Sequence, residues 1–313
     1  MTRFIIQRLV QLLIVLAGIS IITYSLVYLS PSDPAEIQLL ANDVTPTEEA
    51  LEKLRDEMGL NEPFLVQYMN WLKDLLSGDL GYSYHFRENV SEVILDKLPL
   101  TVLLACAAFI IFVVSSLVLG ILSAVYQNRL IDYVIRVVSF MGISVPGFWL
   151  GLILLYVFAV KMKVLPVTYT GEWYNIILPA VTLACPLIGK YTRLIRAEVL
   201  EQYRSDYVIG ARMNGTSGWH IMMQYILPNA IINLVPLIGL SIAALLGGTV
   251  IVESIFSWNG LGMMASDAIT YRDYDLLQTY VLFMTIIYVV INFTVDIAVR
   301  MLDPRLARNE ELA

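Results

Sequence analysis

From Pro99 to Tyr126 the chain reads PLTVLLACAAFIIFVVSSLVLGILSAVY, without one Asp, Glu, Lys or Arg. A helix needs roughly 20 apolar residues to cross a hydrocarbon core of about 30 Å. This run is long enough and is read as a membrane-spanning helix. Five other stretches carry the same signal or nearly so: Leu9–Leu29, Val134–Val160, Ile176–Arg193, Asn229–Val252 and Leu276–Val299. Ile176–Arg193 is the weakest, because Pro179 and Pro186 interrupt it and Lys190 and Arg193 lie near its end. Lipid-embedded helices tolerate prolines where neighbours satisfy the freed carbonyls. Leu9–Leu29 is too long for the apolar region of a signal peptide and no small-residue cleavage site follows it, so it is expected to remain as an anchor.

Composition leads the same way. Of 313 residues, 58% are hydrophobic and only 15% charged, against about 25% charged in an average soluble domain. The mean hydropathy is +0.71. That surplus cannot be hidden in one core, which excludes a soluble globular enzyme and a disordered chain. A net charge of −7 argues against a nucleic-acid binder. Cys106 and Cys185 both fall inside apolar runs, so neither a disulfide framework nor a CxxC site is expected. The fold class is an all-α polytopic membrane protein of about six spans.

Charge sets the orientation. With both termini on one side, that side holds 12 of the 20 Lys+Arg and 8 of the 27 Asp+Glu, leaving 8 basic and 19 acidic residues opposite. The basic residues cluster at helix ends, where the positive-inside rule acts. Both termini are therefore expected in the cytoplasm. Three regions follow: residues 1–29 as anchor, 30–98 as an extracytoplasmic helical insert, and 99–313 as a five-span core that includes a cytoplasmic loop, 193–228.

In the insert, Thr45-Pro46-Thr47-Glu48 reads as a capping box with proline at the first helical position. Leu51, Leu54 and Met58 follow at helical spacing, and Gly59 supplies a stop. A second amphipathic helix runs from about Pro63 to Leu76 and ends near Gly78. Its Phe64, Tyr68, Trp71 and Leu75 share one side, fit to pack on the first span or to lie at the lipid interface.

The 193–228 loop, RLIRAEVLEQYRSDYVIGARMNGTSGWHIMMQYILP, is long for a connection between spans. Helical patterning runs to Met213, Gly215 breaks it, Thr216 or Ser217 is competent to cap, and a second helical run ends at Pro228. A helix–turn–helix lying along the membrane face is built to dock into something.

The run Asp206-Tyr207-x-x-x-Ala211-Arg212-x-x-Gly215, followed by Leu227-Pro228-Asn229-Ala230, resembles the EAA loop of ABC importer permeases. More narrowly, the chain is similar to the first permease subunit of the peptide/nickel branch. The likeness extends through Arg3-Phe4-Ile5, Asp33-Pro34-Ala35, Gly78-Asp79-Leu80-Gly81, Gly142-x-Ser144-x-Pro146, Gly247-Gly248-Thr249 and Leu302-Asp303-Pro304-Arg305. Two positions depart from the pattern: Ile209 stands where the superfamily has glutamate, and Asn259 where the branch has proline.

The resemblance implies a type I importer permease fold in the bacterial cytoplasmic membrane. It implies that Asp206, Tyr207, Ala211, Arg212, Gly215, Leu227 and Pro228 form a coupling element seated on an ATPase subunit. It further implies a non-catalytic translocation subunit with a homologous second permease, two ATP-hydrolysing subunits that bind ATP and Mg, and an extracytoplasmic solute-binding protein. The cargo class would be nickel, free or chelated, or di- and oligopeptides. No cofactor bound by this chain is implied.

Other residues compete for attention. Glu253, with Phe256 and Trp258 near the outer end of the fifth span, is a candidate for the translocation path, since an acid near a membrane is a functional candidate by default. At an interface such an acid can equally face water. Arg193 and Arg196 read as topology determinants or headgroup anchors. Asp296 and Arg300 have the spacing of a local ion pair. His85, near Asp79 and Glu88, lacks a ligand cluster. Gly189-Lys190 mimics the end of a phosphate-binding loop, but Ala184 and Tyr191 occupy the positions that need glycine and Ser or Thr. A self-sufficient carrier driven by an ion gradient is the alternative from another class, although no charge lies near the middle of any expected span.

Overall fold

A computed structural model of the chain describes residues 2–31, 33–42 and 44–302. The side chains of Arg3, Phe4, Ile5 and Arg300 lie outside the described set, as does the Asp303-Pro304-Arg305 tail. The N-terminal helices are α1 (Thr2–Tyr28), α2 (Pro34–Ala41), α3 (Glu48–Glu57) and α4 (Phe64–Ser77). A short antiparallel pair follows, β1 (Tyr82–Ser83) with β2 (Glu88–Asn89). Then come α5 (Val90–Val125), α6 (Leu130–Ser144), α7 (Gly147–Leu154) and α8 (Ile177–Tyr203). The chain ends with α9 (Asp206–Met213), α10 (Gly218–Ile221), α11 (Leu227–Ile255), α12 (Leu261–Thr270) and α13 (Tyr274–Leu302). These divide into two compact units, Met1–Leu100 with Asn259–Val289 and Thr101–Trp258 with Val290–Ala313.

Among the described residues, four helical stretches are long and apolar enough to span: Ile6–Tyr28, Val90–Val125, Gly218–Ile255 and Tyr274–Ala298. The third expected span, Val134–Val160, is not one straight helix. Leu130–Ser144 and Gly147–Lys161 meet at 104°. Pro146 causes the break, because its ring disfavours the α region for Val145, which sits at φ −88°, ψ 126°. The fourth, Ile176–Arg193, becomes the longer α8, with Pro179 in its first turn, where a missing N–H costs nothing, and Pro186 inside it. Among the described residues it is not one of the long apolar stretches, and many of its side chains are buried.

In the first unit, α4 packs on α1 through aromatic rings. Tyr24 meets Phe64, Tyr68 and Trp71 with centroids 5.8, 5.6 and 5.3 Å apart. A buried 2.9 Å hydrogen bond joins the Ser20 and Tyr68 hydroxyls. The aromatic face therefore chooses the first span. Helix α3 starts later than the sequence suggests: Thr47 is the cap, its side chain accepting from the Ala50 amide, and Pro46 lies outside the helix. No capping box forms, since the residue three beyond Thr47 is Ala50, which has no carboxylate. Gly59, at φ +66°, does stop the helix. The core of this unit joins Val90, Val93 and Ile94 to Leu261, Met264, Ala268 and Leu276. Asp273 ties the β1–β2 turn to α13, accepting from the Ser83 hydroxyl at 2.6 Å and the His85 amide at 3.3 Å. His85 itself stacks on Tyr271, 3.8 Å between centroids.

The second unit is organised about α8, whose Leu178, Ala180, Thr182, Ala184, Tyr191, Ile195 and Val199 are buried. Small residues let neighbours approach closely, the packing mode expected where lipid removes the hydrophobic incentive. A Cβ on Gly189 would collide with the Ser139 carbonyl and come within 2.9 Å of Ile143. One on Gly120 would lie 2.6 Å from Ile195. So Gly189 serves the α6–α8 contact. The Tyr191 hydroxyl donates to the Leu237 carbonyl and lies 2.5 Å from the Ser241 hydroxyl, pinning α8 to α11.

Candidate functional site

The elbow at the end of α8 follows from local rules. Arg204 closes α8 and Ser205, at φ −72°, ψ 150°, opens α9, its hydroxyl donating to the Gln202 carbonyl at 2.5 Å. Asp206 stands in the first turn of α9, where a negative charge favours the helix dipole. Val208 and Ala211 are buried and hold α9 in place. At its end the Gly215 amide donates to the Arg212 carbonyl at 3.0 Å and the Thr216 amide to the Ala211 carbonyl at 3.1 Å. This is the paired 5→2 and 6→1 pattern of a Schellman cap. It needs a left-handed residue, and Gly215 supplies φ +77°. Of the two capping candidates, Ser217 takes the role, accepting from the His220 amide. Two short helices thus meet at a defined corner.

The outer surface of that corner is apolar and aromatic. Met213 is 84% and Trp219 73% exposed. Tyr207, Ile209 and Met223 join them on the surface. The Tyr207 hydroxyl donates to the Gln202 side chain, and the Arg212 guanidinium lies 5.1 Å over the Tyr203 ring. Burial pushes the Tyr203 hydroxyl pKa up, with Arg212 pulling against it. Trp219 and Met213 are contributions that motif reading missed. Their signal was an aromatic residue and a methionine flanking a helix breaker in a loop expected to face water.

Asp206, Tyr207, Ala211, Arg212 and Gly215 are therefore brought together on α9 and its cap, with Ala211 turned inward. Leu227 and Pro228 stand apart at the start of α11. The sequence suggests that a helix ends at Pro228, and here the structure corrects it. Gly218–Ile255 is one continuous run, with a π-helical turn at Met222–Ile226 immediately before the proline. The wider turn absorbs the hydrogen bond that proline cannot make.

Glu253, Phe256 and Trp258 gather at the far end of α11, about 40 Å from Leu227 at 1.5 Å per residue. Glu253 is fully buried and accepts from the Thr101 hydroxyl at 2.8 Å. Phe256 packs with Leu178 and Val252, and Trp258 meets Tyr169 edge-on at 4.8 Å. The cavity beside them is only about 10 Å³.

Arg196, read from sequence as a topology determinant or anchor, has a further role. Its guanidinium grips Asp132 in two parallel hydrogen bonds of 2.8 Å each. The Ser123 hydroxyl at 2.6 Å and the Asn128 amide at 2.9 Å complete the shell of this fully buried carboxylate. The inner ends of α5, α6 and α8 are locked together just before the elbow. No spacing rule links residues 64 apart in sequence.

An all-α chain with several apolar spanning stretches, a sharply bent α6–α7 pair and a helical elbow between α8 and α11 has the make-up of a membrane-embedded permease component. The chain belongs to the family of binding-protein-dependent transport system inner membrane components, whose model matches residues 116–308. The companion N-terminal model of such membrane components matches residues 1–105. The chain is 34% identical to the probable D,D-dipeptide transport system permease protein DdpB of Escherichia coli, over 96% of both chains. It is 35% identical to the probable peptide ABC transporter permease protein y4tP of Sinorhizobium fredii, over 97% of this chain and 98% of that one. Against the nickel import system permease protein NikB of Staphylococcus aureus it is 33% identical, over 97% and 91%. Among solved structures, an inward-facing methionine ABC transporter, MetNI, shares the fold with a TM-score of 0.54 at 18% identity, covering 68% of this chain and 96% of that one. The protein is thus a multi-pass inner-membrane ABC permease component.

Proposed function

We propose that this chain converts the nucleotide cycle of partner ATPases into alternating access for nickel, free or chelated, or for short peptides. The observation that carries the reading is the elbow. A glycine-capped corner, following directly on the central helix α8, presents Tyr207, Met213 and Trp219 outward. An exposed apolar patch is typical of a surface that docks on a partner or on the membrane, and a corner between two short helices favours the partner. Seated in a cleft on an ATPase, the elbow moves when the nucleotide-bound ATPase pair closes, and α8 carries that motion into the bundle. Asp206, Tyr207 and Arg212 supply the polar and aromatic contacts there, and Gly215 the turn. A homologous second permease completes the path, two ATPases bind ATP and Mg, and a solute-binding protein docks outside on the 30–98 insert. Catalysis lies with the ATPases. Cargo names of relatives at 33–35% identity support both cargo classes and separate neither.

Gly215→Arg tests the proposal in the reconstituted assembly. ATP-driven uptake is abolished while the chain stays inserted and expressed. Normal uptake by that variant removes the elbow from the mechanism. Gradient-driven flux through the chain alone, without an ATPase, would establish the ion-coupled alternative instead.

A further inference from the structure

Between α6 and α8, in the second unit, lies a cavity of about 460 Å³ that neither the elbow nor the Glu253 group uses. Tyr133, Arg136, Val137 and Phe140 of α6 and Arg193 and Arg196 of α8 line it. Arg196 is committed to Asp132. Arg136 and Arg193 are exposed and face no acidic partner among the described residues. The Arg136 guanidinium lies 5.2 Å over the Tyr133 ring, which steadies it. The rest of the wall is exposed and apolar: Val137 is 59% and Phe140 63% accessible, and Val134, Val138 and Met141 continue the surface. An occupant must therefore offer an anion to two guanidinium forks and a long apolar part to the α6 face.

We propose that this cavity binds an anionic phospholipid of the inner leaflet, its phosphate held by Arg136 and Arg193 and an acyl chain lying along Val137 and Phe140. Guanidinium forks match phosphate oxygens two at a time. Basic pockets between spanning helices on the cytoplasmic side are suited to such headgroups. The depth agrees with the orientation read from the charges, which places Arg193 at the inner end of its span. A peptide or metal cargo lacks the long apolar portion, and free phosphate leaves the apolar wall wet. Because Arg196 forms the same wall, an occupied site braces the α6–α8 pin next to the elbow. The inference does not depend on the cargo or on how the elbow couples.

The test uses the full-length chain in nanodiscs of phosphatidylcholine alone or doped with phosphatidylglycerol, with retained lipid measured by native mass spectrometry after release. Wild type retains phosphatidylglycerol. The Arg136→Gln/Arg193→Gln double variant binds it about 30-fold more weakly, the loss expected for two basic residues near an anionic headgroup. Arg136→Lys/Arg193→Lys keeps the charges but not the forks and retains lipid at a level between wild type and the double Gln variant, which shows the site folded, and Arg204→Gln, off the cavity, retains lipid as wild type does. Equal losses in Arg204→Gln and the double Gln variant would reduce the effect to general surface charge and overturn the proposal. So would inorganic phosphate binding as tightly as the lipid, or, in the assembly with its companion permease, Phe140→Cys crosslinking to that companion rather than to a photoactivatable phosphatidylglycerol.

Discussion

Replacing Arg196 by Met tests the lock between α6 and α8. The Asp132 side chain has no solvent exposure and that of Arg196 has 19%, so the pair is dry on the acid side. Removing the guanidinium strips two of the carboxylate's four donors and leaves the buried charge to the Ser123 hydroxyl and the Asn128 amide. Orphaning one member of a buried pair costs about 3–5 kcal/mol, a large part of a total that is commonly about 5–15 kcal/mol. Asp132→Asn should cost less, about 1.5–3 kcal/mol for hydrogen bonds to a charged group, because the partly exposed arginine can turn to water. Asp132→Leu/Arg196→Met removes both charges and should fall within about 2 kcal/mol of wild type, since apolar replacement of a whole buried pair is often neutral. The assay is unfolding by sodium dodecyl sulfate in mixed micelles, followed by tryptophan fluorescence, with the single Asp132→Leu variant added so that it, Arg196→Met and the double variant close a double-mutant cycle. A coupling energy below about 0.5 kcal/mol, the level of additive distant sites, would refute the lock.

Gly215→Ala should lower stability by only about 1–2 kcal/mol, the cost of a left-handed backbone for a residue with a Cβ, because nothing lies within 4 Å of the added atom. Gly215→Asn should be milder, and thermal unfolding in detergent ranks the two. Gly189→Ala forces a Cβ onto the Ser139 carbonyl and should cost at least about 1–3 kcal/mol as overpacking. Cysteine crosslinking between α6 and α8 should lose efficiency in that variant, and unchanged crosslinking would show that the glycine is not needed for close approach. Thr47→Ala removes the acceptor for the Ala50 amide and should destabilise α3 by about 0.5–2 kcal/mol, seen as faster amide exchange over residues 48–57. Exchange unchanged there would mean that α3 is held by other contacts.

Much of this molecule is local, and local features are legible in the chain. Apolar runs must be helices in lipid, since no other single segment satisfies its own backbone. The corner at Gly215 could be placed because a breaker between two amphipathic stretches has few outcomes. Yet three choices were not legible along the chain. Thr47 rather than Thr45 caps α3, a difference that propensity cannot rank. Pro146 breaks its span while Pro228 does not, because a π-helical turn at Met222–Ile226 accommodates the second and no such turn precedes the first. Arg196 finds Asp132, 64 residues away, only once α6 lies against α8 across Gly189.

What the amino-acid order settled by itself is the all-α, membrane-spanning class and the helical corner at Gly215, since each depends on neighbours within a few turns. Which arginine is buried in a pair and which stays open to a ligand was decided only when helices distant in sequence met. Charge pairing in a low-dielectric interior depends on distance in space, and no periodicity along the chain encodes it.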